Sequence, residues 1–290
     1  MGLRKRHDEL GAHVSSAGGV DRAPARAAEL DARVLQLFTK QPSRWREPEV
    51  DEALAERFRA AREEEGIEVA GSHDSYLINL ASPDDALRER SETCFQGELT
   101  RCAALGLDFL VTHPGNATDG DEAAGVRRNA EAVGRALAAV DAPTRVLLEL
   151  TAGSGTSVGG SFDLLADILD RIPAPERDRV GVCVDTCHAW AAGYDLASDY
   201  DGVWARFGEV LDLELIGLFH LNDSKTPFAS RKDRHEDIGE GTLGDAPFRR
   251  LLLDPRFRDV PKLIETPKEP DVLTADRRNL ARLRALRAEG

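Results

Sequence analysis

No stretch of the 290-residue sequence approaches the ~18 consecutive apolar residues of a membrane-spanning helix. The basic opening Met1-Gly2-Leu3-Arg4-Lys5-Arg6-His7 lacks the apolar run of a secretory signal. Cysteines number only four, too few for a disulfide framework in so long a chain. Reduced thiols, a cytoplasmic location and no membrane partner are therefore expected. Low-complexity tracts and Ser/Gly linkers are missing, and 41% hydrophobic with 31% charged residues can bury a large core. That composition excludes collagen, coiled coil and wholesale disorder. Positive charge is in deficit, with 38 Lys+Arg against 52 Asp+Glu and a net charge of −14. The deficit argues, at first sight, against nucleic acid as a partner.

What recurs is a short apolar run followed by a longer segment with helical spacing. The runs are Leu10–Val14, Val34–Phe38, Ile67–Ala70, Leu107–Val111, Val146–Leu150, Val180–Val184, Leu215–Leu221 and Leu263–Ile264 with its flanks. Runs of this kind read as buried parallel strands. Between them, Ser82-Pro83-Asp84 offers a cap and first turn for a helix carrying Leu87, Cys94 or Phe95, Leu99, Cys102 and Leu105, and Gly106 ends it. Eight strands alternating with helices predict one α/β domain over residues 1–290, a closed (β/α)8 TIM barrel, with residues 1–8 as a short extension. A doubly wound sheet would show a Gly-rich turn after its first strand, and Gly18-Gly19 lacks the G-x-G-x-x-G spacing. One connection, from His220 to Phe248, is polar, turn-rich and too long for a simple connector, which marks it as functional.

Six runs close on a metal-ligating residue type: His73, His113, Glu149, Asp185, His220 and Glu265, spaced by 40, 36, 36, 35 and 45 residues. Each interval is one strand-helix unit, so in a barrel these side chains converge on the C-terminal rim, where barrels carry out chemistry. His188, three residues after Asp185, and the pair Asp233 and His235 in the long connection extend the set to five imidazoles and four carboxylates. Nine such donors suit three ions if one carboxylate is shared. Imidazole and carboxylate without obligatory thiolate favours zinc over manganese or iron. Any one strand-end His or Glu is more often structural; the recurrence at the unit period is what carries weight. Cys94 and Cys102 fit the apolar face of a helix, and Cys183 and Cys187 fit small buried positions better than ligation. His13 closes the first strand and is expected beside the cluster without being a ligand; His7 is expected to be solvated.

These motifs resemble the endonuclease IV family, zinc-dependent apurinic/apyrimidinic endonucleases of base excision repair. The likeness runs from Gly11-Ala12-His13-Val14-Ser15 to Leu263-Ile264-Glu265-Thr266. Its most specific segments are His73-Asp74-Ser75-Tyr76-Leu77-Ile78-Asn79-Leu80, Val184-Asp185-Thr186-Cys187-His188-Ala189, His220-Leu221-Asn222-Asp223-Ser224-Lys225, and Arg231-Lys232-Asp233-Arg234-His235 through Gly239-Glu240-Gly241. The resemblance implies three Zn2+ per chain. His73 and His113 would hold one with Glu149 shared; Glu149, Asp185, His220 and Glu265 the second; His188, Asp233 and His235 the third. Glu149, Asp185 and Glu265 become the candidate catalytic carboxylates. The implied partner is duplex DNA with abasic sites or blocked 3′ ends, met by a monomer that is nucleoid-associated when acting. The implied reaction is incision 5′ to the abasic site, leaving a 3′-hydroxyl and a 5′-deoxyribose phosphate.

Two departures are local. Where the family commonly has Phe-Thr-Lys-x-x-Arg-x-Trp, this chain reads Phe38-Thr39-Lys40-Gln41-Pro42-Ser43-Arg44-Trp45, so Ser43 replaces the inserting Arg. Glu149-Leu150-Thr151-Ala152-Gly153 replaces the common Glu-Asn-Thr-Ala-Gly. Three divalent ions would bring the net charge from −14 to −8 and leave the site itself positive. Lys40, Arg44, Arg46, Lys225, Arg231, Lys232 and Arg234 then form a candidate DNA-facing surface on an acidic body. Tyr76 is the candidate wedge into the base stack, with Trp45 and Arg44 beside it. The rival readings are a metal-dependent sugar isomerase or epimerase on a related barrel, which needs one or two ions, and a non-catalytic binder of damaged DNA.

Overall fold

The computed structural model describes residues 10–289, so His7 and the expected extension lie outside the described residues. The apolar runs form strands in chain order β1 (Leu10–His13), β2 (Val34–Leu37), β3 (Val69–His73), β4 (Phe109–Thr112), β5 (Arg145–Leu150), β6 (Val180–Asp185) and β7 (Ile216–His220). Two short strands, β8 (Asp223–Ser224) and β9 (His235–Glu236), precede β10 (Lys262–Ile264). All but β8 and β9 close a parallel barrel in the order β1-β10-β7-β6-β5-β4-β3-β2, as expected for a (β/α)8 chain. β8 and β9 pair antiparallel inside the long connection. The helices are α1 (Ala23–Ala28), α2 (Glu52–Glu64), α3 (Asp85–Leu105), α4 (Glu122–Ala139), α5 (Phe162–Arg171), α6 (Ala174–Arg177), α7 (Thr186–Ala192), α8 (Tyr200–Val210), α9 (Asp245–Leu253) and α10 (Val272–Ala288).

Local chemistry sets the element ends. The Asp84 carboxylate accepts the Leu87 N–H at 2.9 Å and caps α3, an interaction worth ~1 kcal/mol. Gly106, at φ 69°, ends that helix in the left-handed conformation that a Cβ disfavours. The run Ile67–Ala70 reads as a strand, yet β3 starts at Val69 and reaches His73. Ile67 instead closes α2: its N–H donates to the Arg62 carbonyl at 2.9 Å across Gly66. The same hydrogen-bonded closure ends many helices, and it takes the first apolar residue of the run away from the sheet. His113 and Glu265 each lie one residue beyond β4 and β10, while Glu149 is the penultimate residue of β5.

Strand alternation explains how the rim is loaded. Successive side chains point to opposite faces of a strand. One face of the sheet joins the main core under the helices; the other contributes a separate cluster of Val34, Phe109, Val111, Leu147, Cys183, Leu218 and Leu263, which fills the barrel interior. Two residues further along their strands stand Gln36, His113, Glu149, Asp185, His220 and Glu265. Each polar group therefore sits one layer above an apolar one, pointing into the barrel mouth. His73 follows the same rule above Gly71, where a Cβ would lie 2.0 Å from the Phe109 ring. The missing side chain makes room for Phe109 and closes the barrel floor.

Gly71→Ala should cost about 1–3 kcal/mol by forcing Phe109 aside. The urea midpoint should fall with an unchanged m value; an unmoved midpoint would show that the ring has slack.

Candidate metal centre

All nine expected donors meet at the mouth of the barrel. Glu149, fully buried, lies at their centre. Its Oε2 is 3.1 Å from His73 Nε2 and 3.2 Å from His113 Nε2. Its Oε1 is 3.1 Å from His220 Nδ1 and 3.2 Å from His188 Nδ1. His220 Nδ1 also lies 3.4 Å from Glu265 Oε2 and 4.0 Å from Asp185 Oδ2. On the outer side, Asp233 spans two rings, 3.2 Å from His188 Nε2 and 3.2 Å from His235 Nε2. His235 Nε2 is 3.4 Å from Asp185 Oδ2. The groups His73–His113–Glu149 and His188–Asp233–His235 each bring three ligand atoms within 4.8 Å of one another.

The tautomers follow from the neighbours. A carbonyl oxygen can only accept, so the ring nitrogen facing it carries the hydrogen. His73 Nδ1 donates to the Asp74 backbone oxygen at 2.9 Å, His188 Nδ1 to Leu150 O at 2.9 Å, and His235 Nδ1 to Glu265 O at 3.2 Å. His220 Nε2 donates to Gln36 Oε1 at 3.1 Å; the amide is oriented by its Nε2, which donates to Glu265 Oε1 at 2.7 Å. The opposite nitrogen of each ring, a lone pair when neutral, therefore faces carboxylate oxygens. His235 Nε2 is buried without a hydrogen-bond partner. Lone pair against carboxylate is repulsive unless positive charge lies between them. Metal-ligating histidines are anchored in this way, one nitrogen on a carbonyl and the other on the ion. The donor set thus fits divalent cations.

Charge shifts carry the same message. Burial by itself would lower the His73 pKa, but Glu149 and Asp74 outweigh it and push it up to about 10. Burial would also lower His188 and His220, but Asp185, Asp233 and Glu149 raise the first, and Cys183, Glu265 and Glu149 raise the second, well above the usual imidazole range. Burial would raise Glu149 and Glu265, yet His220 and the other imidazoles hold both well below the usual carboxylate range. The carboxylates stay ionised, and in the metal-free protein the rings hold the protons that balance them.

Behind the donors stand supporting groups, of which Gln36 and Asn222 carry no signal in the sequence alone. Gln36 orients both His220 and Glu265, and His13 Nδ1 lies 2.9 Å from Glu265 Oε1, which leaves Oε2 facing His220. His13 is thus beside the cluster, as expected. Asn222 Nδ2 donates to Asp185 Oδ2 at 2.6 Å while its Oδ1 accepts the Glu265 N–H at 2.8 Å. Buried Asp74 accepts from Thr112 Oγ1 at 2.5 Å, and its burial raises its pKa to about 7. Cys183 belongs to the barrel interior, and all four thiols are free and buried. The long connection is pinned by Asp223, whose carboxylate accepts the N–H groups of Ser224 (2.7 Å), Gly239 (3.0 Å), Gly241 (3.1 Å) and Leu243 (3.0 Å). A Cβ at Gly241 would stand 2.3 Å from that carboxylate.

The expected DNA-facing residues divide. Tyr76 is 69% exposed, rests edge-on against Phe38 with ring centroids 5.3 Å apart, and lines the mouth of the metal centre. Arg44, Lys225, Arg231, Lys232 and Arg234 are exposed or partly so. Arg231 is fixed in a left-handed conformation (φ 54°) by its N–H, which donates to Ala191 O at 2.9 Å. Lys40 corrects the sequence reading. It is buried, with Nζ 2.5 Å from Glu47 Oε1 and 3.1 Å from Cys94 Sγ. Glu47 in turn binds Arg101 Nη1 at 2.6 Å, so the Lys40 charge is spent inside the protein, tying the β2–α2 loop to α3. Trp45 is half-buried against the core, with the Arg90 guanidinium 4.5 Å over its ring.

Residues 24–286 match the family model described as xylose isomerase-like TIM barrel. The chain is 46% identical over 280 residues to a probable endonuclease 4 of Chloroflexus aggregans, covering 96% of this chain and 97% of that one. Among solved structures it resembles endonuclease IV from Thermus thermophilus, with TM-score 0.86 and 37% identity over 97% of this chain and 99% of that one. A D-psicose 3-epimerase, at TM-score 0.64 and 17% identity over 95% of this chain and 93% of that one, shares the fold alone.

Asp223→Ala removes the acceptor for four backbone donors. It should destabilise the protein by about 2–3 kcal/mol and expose the segment between Lys225 and Leu243 to limited proteolysis. A wild-type cleavage pattern would show that β8 and β9 hold the loop without it.

Proposed function

The chain belongs to the endonuclease IV family, and we propose on that ground that it cuts the phosphodiester 5′ to abasic sites in duplex DNA through three metal ions. It is a hydrolase that acts on DNA in repair. The observation that carries the finer reading is the convergence of five imidazoles and four carboxylates, with each anchored ring aiming its second nitrogen at a carboxylate. The sugar-epimerase reading rests on fold alone and gives no role to the outer group His188–Asp233–His235.

His73, His113 and Glu149 would hold one ion, Glu149, Asp185, His220 and Glu265 a second, and His188, Asp233 and His235 a third. Glu149 suits the shared position because each of its oxygens faces a different pair of imidazoles. Zinc fits this donor set best, with manganese or iron as partial substitutes. Divalent cations, when bound, offset the phosphate charge, activate water and stabilise the leaving oxygen. The protein's own part is positional. Gln36, His13 and Asn222 fix Glu265 and Asp185, so the carboxylates need no rearrangement as charge develops. An abasic nucleotide stacks poorly and costs less to extrude than a normal one. Tyr76, supported by Phe38 at the mouth, would fill the gap it leaves. Arg44, Arg231 and Arg234 supply charge for the flanking backbone; Lys40 does not.

A duplex with one tetrahydrofuran abasic analogue should be nicked on its 5′ side, leaving a 3′ end that a polymerase extends. Complete chelation should abolish the cut, and Glu149→Gln should reduce it by about 100-fold or more. Elemental analysis should give close to three metals per chain; one or two, with sugar epimerisation in place of nicking, would favour the other enzyme. Tyr76→Ala should weaken abasic-duplex binding by about tenfold with metal content intact. Metal loss in that variant would make Tyr76 a packing residue.

A further inference from the structure

Lys268 is absent from the residues singled out by sequence, and its setting is unlike that of the exposed loop cations. The cavity over the metal centre, 330 Å³, shares a wall with a groove of 640 Å³ between the β1–α1 and β2–α2 loops. His13, Phe38 and Lys268 line both. Lys268 is the sole lysine or arginine on that shared wall among the described residues. It lies three residues beyond Glu265, with its side chain 32% exposed. Nζ is held 2.5 Å from Oδ1 of Asp276, a carboxylate of α10 that is entirely buried.

That anchor has two physical effects. A lysine ammonium on its four-carbon stem loses considerable rotamer freedom when it binds an anion. Asp276 has already fixed the stem, so little further ordering is needed on binding. An ammonium also has three donors, and the structure gives this one a single partner, leaving donors to spare at the junction of the two cavities. Asp276 already offsets the ammonium charge, so Lys268 can stand beside divalent cations, while its unused donors remain open to a second anion at the 32% exposed side chain. A DNA phosphate is such an anion.

We propose that Lys268 binds the phosphate adjacent to the one that is cut, where the damaged strand passes from the metal centre into the neighbouring groove. This inference rests on the proposed function. The competing account is that Lys268 merely pairs with Asp276 to tie the segment after β10 to α10.

The two accounts separate in a binding measurement. The metal-loaded protein is titrated by fluorescence anisotropy onto a duplex in which the 3′-bridging oxygen 5′ to a tetrahydrofuran residue is replaced by methylene, which keeps the charge and blocks cleavage. Between about 50 and 200 mM KCl, Lys268→Ala should weaken binding by about tenfold and flatten the slope of log K against log[KCl] by about one. Metal content should be unchanged, and Lys268→Arg should keep the wild-type slope. The double variant Lys268→Ala/Asp276→Asn should regain whatever thermal stability Lys268→Ala loses, because no buried carboxylate is left unpaired, without regaining affinity. An unchanged slope in Lys268→Ala, or affinity restored in the double variant, would overturn the assignment. A wild-type protein with no preference for the abasic over the intact duplex would overturn the proposed function instead.

Discussion

The molecule is organised around an electrostatic constraint: carboxylates and imidazole nitrogens held about 3 Å apart around the buried Glu149. Glu149 alone touches four rings within 3.2 Å. Such a group can persist only with protons or metal cations distributed among its members. Protonated imidazoles meet the need in the bare protein, as the raised His73, His188 and His220 pKa values show. Divalent ions meet it with greater charge and with coordination geometry. Selection of the ion therefore begins in the carbonyls and amides behind the rings, which determine the nitrogen each ring presents.

The barrel answers this constraint with a plain device. Because side chains alternate along every strand, a layer of apolar residues inside the barrel fixes the direction of the polar residue two positions on. Leu147, Cys183, Leu218 and Leu263 hold the aim of Glu149, Asp185, His220 and Glu265. Stability and chemistry are thus built on consecutive layers of the same strands. The outermost donors, Asp233 and His235, cannot come from a strand end. They come from a loop, and that loop carries its own scaffold in β8, β9 and the Asp223 carboxylate.

Much of this is legible in the sequence. The recurrence of His, Glu and Asp at intervals of one strand-helix unit names six of the donors, because each is the terminal or near-terminal residue of an apolar run. The other three follow from their closeness to Asp185 and from the length of the polar connection. What stays hidden depends on partners far along the chain. Lys40 reads as a rim cation until Arg101 and Glu47 are seen closing around its loop. Gln36 carries no charge and breaks no pattern; only its register, two residues beyond inward-facing Val34, marks it. Asp223 looks like one more polar residue in a polar loop, since the four N–H groups it gathers are spread along the connection as far as Leu243. Ile67 reads as strand because its hydrophobicity serves equally well in closing a helix.

The packed floor of the barrel lies beneath the donors, several of which line a cavity at the barrel mouth. Phe109 seated over Gly71, with Leu147 and Leu218 in the same cluster, fills the barrel below the donors. Tyr76 and Asp233 line the cavity that opens over the donors. A duplex lying across that cavity would cover whatever ions had already entered. On the proposed function, ions would enter before the duplex and exchange after it leaves, so the substrate itself would retain the ions that cut it.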